Sequence, residues 1–249
     1  MSELFVTGVG IATPTGVNSE SALHHRFPDI SGSGDALATD RSRDRKVLPH
    51  IRYKDPIVPG GVIALQGALA AARLEPAVLQ ANPFRYGILL AAARGPQHTR
   101  ASLFQSLESR DGKSVSATFF SSCGYNIAGS LLAASAGIVG PVLTLASSDD
   151  ALGTLCRCAR RHLGGERTFA MLVGFTEGDS SVMLVIEPEE RLRHRELSRR
   201  ITIRFVAASE RGPADAEFGG FWQCARQWYG PGDRDDDALI VSSESRRPA

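Results

Sequence analysis

Cysteine and histidine are the residues of this chain best suited to nucleophilic and acid–base work, and their spacing is spare. The cysteines are Cys123, Cys156, Cys158 and Cys224; the histidines are His24, His25, His50, His98, His162 and His194. No arrangement matches a zinc site, and Cys156-x-Cys158 is not a CxxC redox pair; it reads as two small residues on a helix. No Ser-His-Asp order stands out. Ser147-Ser148-Asp149-Asp150 reads as a helix N-cap with acids near the positive end of the dipole, with a catalytic carboxylate pair as the alternative. His98 reads as a solvated loop histidine. Trp222, Trp228 and Tyr229, at helical spacing, read as a packed face. The arginines between Arg191 and Arg200 read as a solvated turn. The segment Phe119-Phe120-Ser121-Ser122-Cys123-Gly124-Tyr125-Asn126 combines a thiol, hydroxyls and aromatic rings just ahead of an Ala-rich helix. It is the stretch of most interest as a binding site.

The bulk composition narrows the class of partner. Lys plus Arg is 28 and Asp plus Glu is 27, a net charge of +1. This excludes a general electrostatic attraction to nucleic acid or to an anionic membrane surface. The apolar fraction of 43% suffices for a large core. A chain of this size does not need disulfides. The N-terminus lacks a basic stretch followed by a long apolar one. The apolar-rich stretch from Ile127 to Leu145 is broken by Gly129, Ser130, Ser135, Gly137, Gly140 and Pro141, too often to span a bilayer. A cytoplasmic protein without metal or organic cofactor is expected.

The elements that must position these residues follow from local patterns. Leu4 to Ala12 is a glycine-punctuated strand, followed by the turn Thr13-Pro14-Thr15-Gly16. A short helix is expected over 18–26 and a loop over 29–48, where Ser, Gly, Asp and Arg dominate. Helical spacing runs from Ile63 to Leu74, Thr99 to Leu107, Tyr125 to Ala136 and Leu152 to Leu163, the last stopped by Gly164-Gly165. The continuous apolar run Tyr86 to Ala92 reads as a strand covered on both faces and Val142 to Ala146 as a second buried strand; Thr168 to Val173 and Ser181 to Glu187 read as strands, the last stopped by Pro188. Ile201 to Ala207 and Ala238 to Ser242 read as further strands, Phe218 to Tyr229 as a helix, and 244–249 as a frayed tail. The alternation predicts one α/β layered domain over 1–249, with helices on both faces of a mixed, mostly parallel sheet.

Three blocks carry a family resemblance. Phe5-Val6-Thr7-Gly8-Val9-Gly10-Ile11-Ala12-Thr13-Pro14-Thr15-Gly16 resembles the first strand and turn of β-ketoacyl synthases; the spacing is not GxGxxG, so a dinucleotide site is rejected there. Asn126-Ile127-Ala128-Gly129 with the helix after it, then Val142 to Asp149, resembles the helix that follows the synthase nucleophile and the next strand. Thr176-Glu177-Gly178-Asp179-Ser180 with the strand to Glu187 resembles the family's Gly-rich turn, where Glu177 matches a structural glutamate. The blocks fall in order over roughly residues 1–205. Ala93-Arg94-Gly95, Ser116 to Ser121 and Tyr125-Asn126 resemble a short subgroup, the β-ketoacyl synthase-like N-terminal domain proteins of aryl polyene and polyketide clusters. The resemblance implies one half of a thiolase-type fold.

It also implies what is missing. A condensing synthase holds its acyl chain on a thiolate at a helix N-terminus and polarises the thioester with histidines. Counting back from Asn126 puts the nucleophile position at Phe120, which has no nucleophilic atom. Sliding the alignment to make Cys123 the nucleophile drops three residues; otherwise Cys123 is a small buried residue in the first turn of the helix. The family's His-Gly-Thr and Gly-His motifs are not found, and the second half of the thiolase-type fold is expected to be absent. The expected function is that of a catalytically inactive ketosynthase-like partner or chain-length-factor-like subunit in polyketide or fatty-acid-type biosynthesis. It would bind through Phe119, Phe120, Ser121, Ser122, Cys123, Tyr125 and Asn126. Its partners would be a second copy or a ketosynthase-type protein, and an acyl carrier protein. The alternative is a non-condensing enzyme, an isomerase, cyclase or dehydratase acting on a carrier-bound polyene, with Phe119 and Phe120 as pocket walls.

Overall fold

The computed structural model describes residues 3–13, 16–17, 55, 57–109, 120–146, 150–165, 167–178, 180–193, 197, 199–206, 219–229 and 238–242. The helix expected over 18–26, the loop over 29–48, the tail over 244–249 and Phe119 lie outside them. Strand β1 (Leu4–Thr13) is met at its end by the two-residue β2 (Gly16–Val17). Then come α1 (Ile57–Ala71), α2 (Pro76–Ala81), β3 (Tyr86–Ala91), α3 (Gln97–Ser109), α4 (Ile127–Ala136) and β4 (Val142–Leu145). They are followed by α5 (Ala151–Leu163), β5 (Ala170–Glu177), β6 (Ser180–Pro188), β7 (Ile201–Val206), α6 (Gly219–Tyr229) and β8 (Ala238–Ser242).

The strands form one mixed sheet in the order β4-β3-β5-β6-β1-β7-β8, with β2 attached to β1. β3 pairs parallel with β4 and β5, and β7 with β8. The β5–β6, β6–β1 and β1–β7 pairs are antiparallel, so β4, β3, β5 and β1 all run one way. Every residue of β3 is buried, as its unbroken apolar run predicts for a strand covered twice. Ile88 and Leu90 face the layer made with α1, α2 and α4, while Leu89 and Ala91 face the layer made with α5 and α6. The period-2 alternation thus feeds two cores from one strand.

Local chemistry explains the shifts from expectation. α1 starts at Ile57, six residues before the predicted start, although Pro59, Gly60 and Gly61 follow. A proline in the first turn removes an N–H that has no intrahelical acceptor anyway. β5 begins at Ala170 and runs to Glu177, because the antiparallel pairing with β6 across the Gly178 turn extends it. Gly178 sits at φ +57°, where glycine carries no steric cost. α2, which was not expected, starts with Pro76 at its first position.

The chain after Arg200 closes the second face. Phe221 is fully buried against Phe175 (ring centroids 5.3 Å), and Trp222 meets the same ring at 6.0 Å. The Tyr229 hydroxyl donates to the Val9 carbonyl at 2.6 Å. Arg191, Arg193 and Arg200 are exposed, as the solvated reading of this segment expects, and Arg199 is half-buried. Arg191 lies 3.4 Å above the Phe169 ring, Arg200 lies 5.2 Å from that of Phe5, and Arg199 donates to the Trp228 carbonyl. Guanidinium groups stack favourably on such rings.

This face has a pH signature. Burial pushes the Cys156 thiol, and separately the Tyr229 hydroxyl, up to about 12. Both groups are held neutral in the fold, whereas the unfolded chain releases these protons from about pH 9 to 10. Stability is therefore fully present below pH 9 and falls as pH rises toward 12, by on the order of 1.4 kcal/mol per pH unit for each group in that window. Urea melts from pH 8 to 11 should show a midpoint that declines above pH 9; a flat profile would contradict the buried, neutral assignment.

Candidate functional site

The C-terminal ends of β3 and β5 face the first turns of α1 and α3 and the segment leading into α4. Open α/β sheets place their sites at such strand ends. Asp55, fully buried, holds this corner together. Its Oδ1 accepts from the Ile57 amide at the start of α1 (3.3 Å), and its Oδ2 accepts from the Thr99 amide in the first turn of α3 (3.1 Å). One carboxylate thus caps two helices whose first amides have no intrahelical acceptor. Thr176 donates to the Ile57 carbonyl at 2.7 Å, and Ser181 donates to the Thr176 hydroxyl at 2.8 Å. These buried hydroxyls tie the β5–β6 hairpin to α1.

Past the end of β3, the Arg94 amide donates to Glu177 Oε2 (3.3 Å), and Arg94 Nε lies 3.7 Å from Glu177 Oε1. This fixes the Arg94-Gly95 turn against the hairpin, consistent with a structural role for Glu177. Gly95, at φ +62°, lets the Tyr125 ring lie where a side chain would be: a Cβ on it would come 2.8 Å from the ring. Arg100 donates from Nη1 to the Tyr125 hydroxyl at 3.0 Å and lies 5.4 Å from its ring centroid.

Phe120 and Ser121 are helical and a turn begins at Ser122, with the Cys123 amide donating back to the Phe120 carbonyl at 3.1 Å. Cys123 is half-buried and precedes Ile127, the start of α4, by four residues. The expected buried place in the first helical turn is therefore corrected: the Gly124-Tyr125-Asn126 turn separates the thiol from the helix amides. Burial pushes the Cys123 thiol above its ordinary range; Arg100 opposes this and Asp55 adds to it. A thiol so placed is poorly ionised and a weak nucleophile at neutral pH. Phe120 is 70% exposed. Ser121, Tyr125 and Asn126 are exposed and Ser122 is half-buried. Asn126 occupies the N-cap position of α4 without a side-chain cap bond.

Other sequence candidates fall elsewhere. His98 lies in the first turn of α3 and is exposed, rather than in a loop. Asp150 occupies the N-cap position of α5 at φ 45°, but its carboxylate caps nothing; it accepts from Arg157 at 3.2 and 3.3 Å. Ser147, Ser148 and Asp149 are outside the described residues. Cys156 and Cys224 are buried. Among the described residues no three His, Cys, Asp or Glu side chains gather as a metal ion requires, and no helix is long and apolar enough to cross a membrane. Sequence reasoning missed Asp55 and Arg100. The Asp55-Pro56 pair was a usable signal, since Asp before Pro favours turn initiation ahead of a helix.

The fold has clear counterparts among solved structures. The ishigamide ketosynthase/chain length factor aligns at TM-score 0.60 and 13% identity, over 80% of this chain and 62% of that one. A β-ketoacyl synthase from Burkholderia phymatum STM815 aligns at TM-score 0.56 and 15% identity, over 80% and 62%. A type II PKS acyl-carrier protein in complex with its ketosynthase bound to the hexaketide aligns at 0.55 and 16%, over 78% and 60%. No family model and no curated protein matches the sequence. The chain spans about three fifths of the length of these three structures. It carries the thiolase-type α/β fold of ketosynthases, as the three sequence blocks predict.

Proposed function

We propose that the chain is a non-condensing ketosynthase-like protein that acts as a partner subunit, in the manner of a chain length factor, in polyketide or fatty-acid-type biosynthesis. The observation that carries this reading is Phe120. It stands where the family pattern puts the nucleophile and offers an apolar ring, 70% exposed. The neighbouring thiol of Cys123 is held in its neutral form and lies outside the helix. The chain contains neither His-Gly-Thr nor Gly-His. Among the described residues the acids nearest this corner are already engaged, Asp55 by two helix amides and Glu177 by Arg94, which weighs against the isomerase, cyclase or dehydratase reading. The ketosynthase–chain length factor and ketosynthase–carrier protein pairings among the structural counterparts make a synthase-type partner, and with it an acyl carrier protein, the partners to test.

The chemical test is direct. Purified protein incubated with malonyl- and acyl-loaded carrier protein is expected to release no carbon dioxide and to gain no acyl mass. Phe120→Cys is expected to leave both results unchanged, because no histidine motif accompanies the new thiol. An acyl adduct on Cys123, located by peptide mapping, would overturn the assignment of Phe120 to the nucleophile position.

A further inference from the structure

A second site lies at the opposite end of the sheet. The residues just before β3, β4 and β5, with the last turn of α5, line an open depression of about 600 Å³ at the surface. Arg161 and His162 reach it from the last turn of α5, and Arg167 and Thr168 from the loop that follows. Phe84 and Pro141 supply the apolar wall. Phe84 is 71% exposed, a large ring left in solvent at the edge of a cationic depression. Just outside, Arg85 and Arg191 flank the Phe169 ring at 5.0 and 3.4 Å from its centroid, with Glu189 and Glu190 next to Arg191 in the same turn.

The simplest account of Arg161 and His162 is that they complement the negative end of the α5 dipole. That account does not cover Arg167, which is not on the helix, nor Phe84, which comes from the turn before β3. Three separate segments converge here, and none of the described lining residues is acidic; Glu166, between Gly165 and Arg167 in sequence, lies outside the described residues. Two guanidiniums offer paired donors that match a phosphate group. An exposed aromatic ring offers a stacking face for a planar heterocycle. We propose that this depression binds a small phosphate ester carrying a planar ring, of nucleoside phosphate type. The proposal is independent of the site at Phe120, since the two lie at opposite ends of the parallel strands.

The test titrates the full chain calorimetrically with ADP, adenosine and sodium phosphate at fixed ionic strength. ADP is expected to bind about tenfold or more tightly than either fragment alone, because charged hydrogen bonds and stacking each contribute. Arg161→Ala and Arg167→Ala together should weaken ADP on the order of tenfold. Phe84→Ala should weaken ADP about two- to tenfold and leave phosphate binding unchanged. All three side chains are exposed, so the variants should keep the wild-type circular dichroism. The proposal is overturned if ADP gives no binding at millimolar concentration, or if the double arginine variant binds it unchanged. Phosphate binding as tightly as ADP would remove the ring from the proposal, and adenosine binding as tightly would remove the phosphate; either refutes it.

Discussion

Replacing Gly10 by alanine is expected to destabilise the protein by about 3 kcal/mol or more, enough to unfold much of a marginally stable domain. β1 crosses beneath α1 with Gly8 and Gly10 on the helix side. A Cβ on Gly10 would lie 1.8 Å from the Ala64 carbonyl oxygen and 2.5 Å from the Ala68 amide nitrogen. Both are helix backbone, so no side chain can turn aside; α1 must lift away from the sheet. That would open the layer holding Val62, Leu65 and Leu69 and shift Ile57, to which both Asp55 and Thr176 are bonded. Gly61→Ala is the control. The nearest atoms to its Cβ would all belong to the Leu132 side chain, the two methyl carbons at 3.0 and 3.3 Å and Cγ at 3.6 Å, and that side chain can move a few tenths of an ångström. Its cost should be about 1 kcal/mol or less. Urea denaturation of the two variants should separate them clearly. Equal midpoints would mean that α1 does not approach β1 as closely as described.

The same glycines show what the sequence could and could not tell. Thr7-Gly8-Val9-Gly10 reads locally as strand punctuation, and the family resemblance adds that the pattern belongs there. Neither says why. The reason is tertiary: glycines two apart share a strand face, and Ala64 and Ala68 on α1, with Ala72 just past its end, come down onto them. The buried strand β3 was legible because both its faces are covered, which leaves a continuous apolar signal; β4 gives the same signal and read as buried, yet it is an edge strand with Val142 and Leu143 exposed. The start of α1 was not, because Pro59 and two glycines argue locally against a helix that packing nevertheless sustains. The candidate site was legible only in part. Phe120 and Cys123 were visible as residues, but their exposure and the turn between them depend on how the segment seats against Gly95 and Arg100. Asp55 was invisible as a site residue, since its role is to join two helices that begin 40 positions apart in sequence, at Ile57 and Gln97, an arrangement no local pattern encodes.

Association through the β4 edge is the second large expectation, and it bears most directly on the proposed function. Among the described strands β4 is paired only with β3, and an open edge presents unpaired backbone donors and acceptors to another chain. Val142 is 39% and Leu143 47% exposed, with Val139 exposed close by. The Val139 and Gly140 amides both donate to the Pro83 carbonyl, which fixes this apolar strip where the chain enters β4. Covering apolar surface contributes about 25 cal/mol per Å², so a partner that buries several hundred Å² here gains several kcal/mol before association entropy is met. A second copy is expected to pair at this edge in isolation, and a ketosynthase-type protein in the cell. Leu143→Lys is the variant of choice: it places a charge in the strip while the fold is left intact. Thr144→Lys is a poorer probe, because the Thr144 hydroxyl oxygen is buried and a Cβ on Gly129 of α4 would come 2.9 Å from it; lysine there would damage the α4 packing as well. Light scattering coupled to gel filtration should show a dimer for the wild type. The Leu143→Lys dissociation constant should be weaker on the order of tenfold or more, with an unchanged thermal midpoint measured below it. A wild-type protein that stays monomeric at high concentration and captures no ketosynthase-type partner would remove the support for a subunit role, because a non-condensing subunit can act only through what it binds.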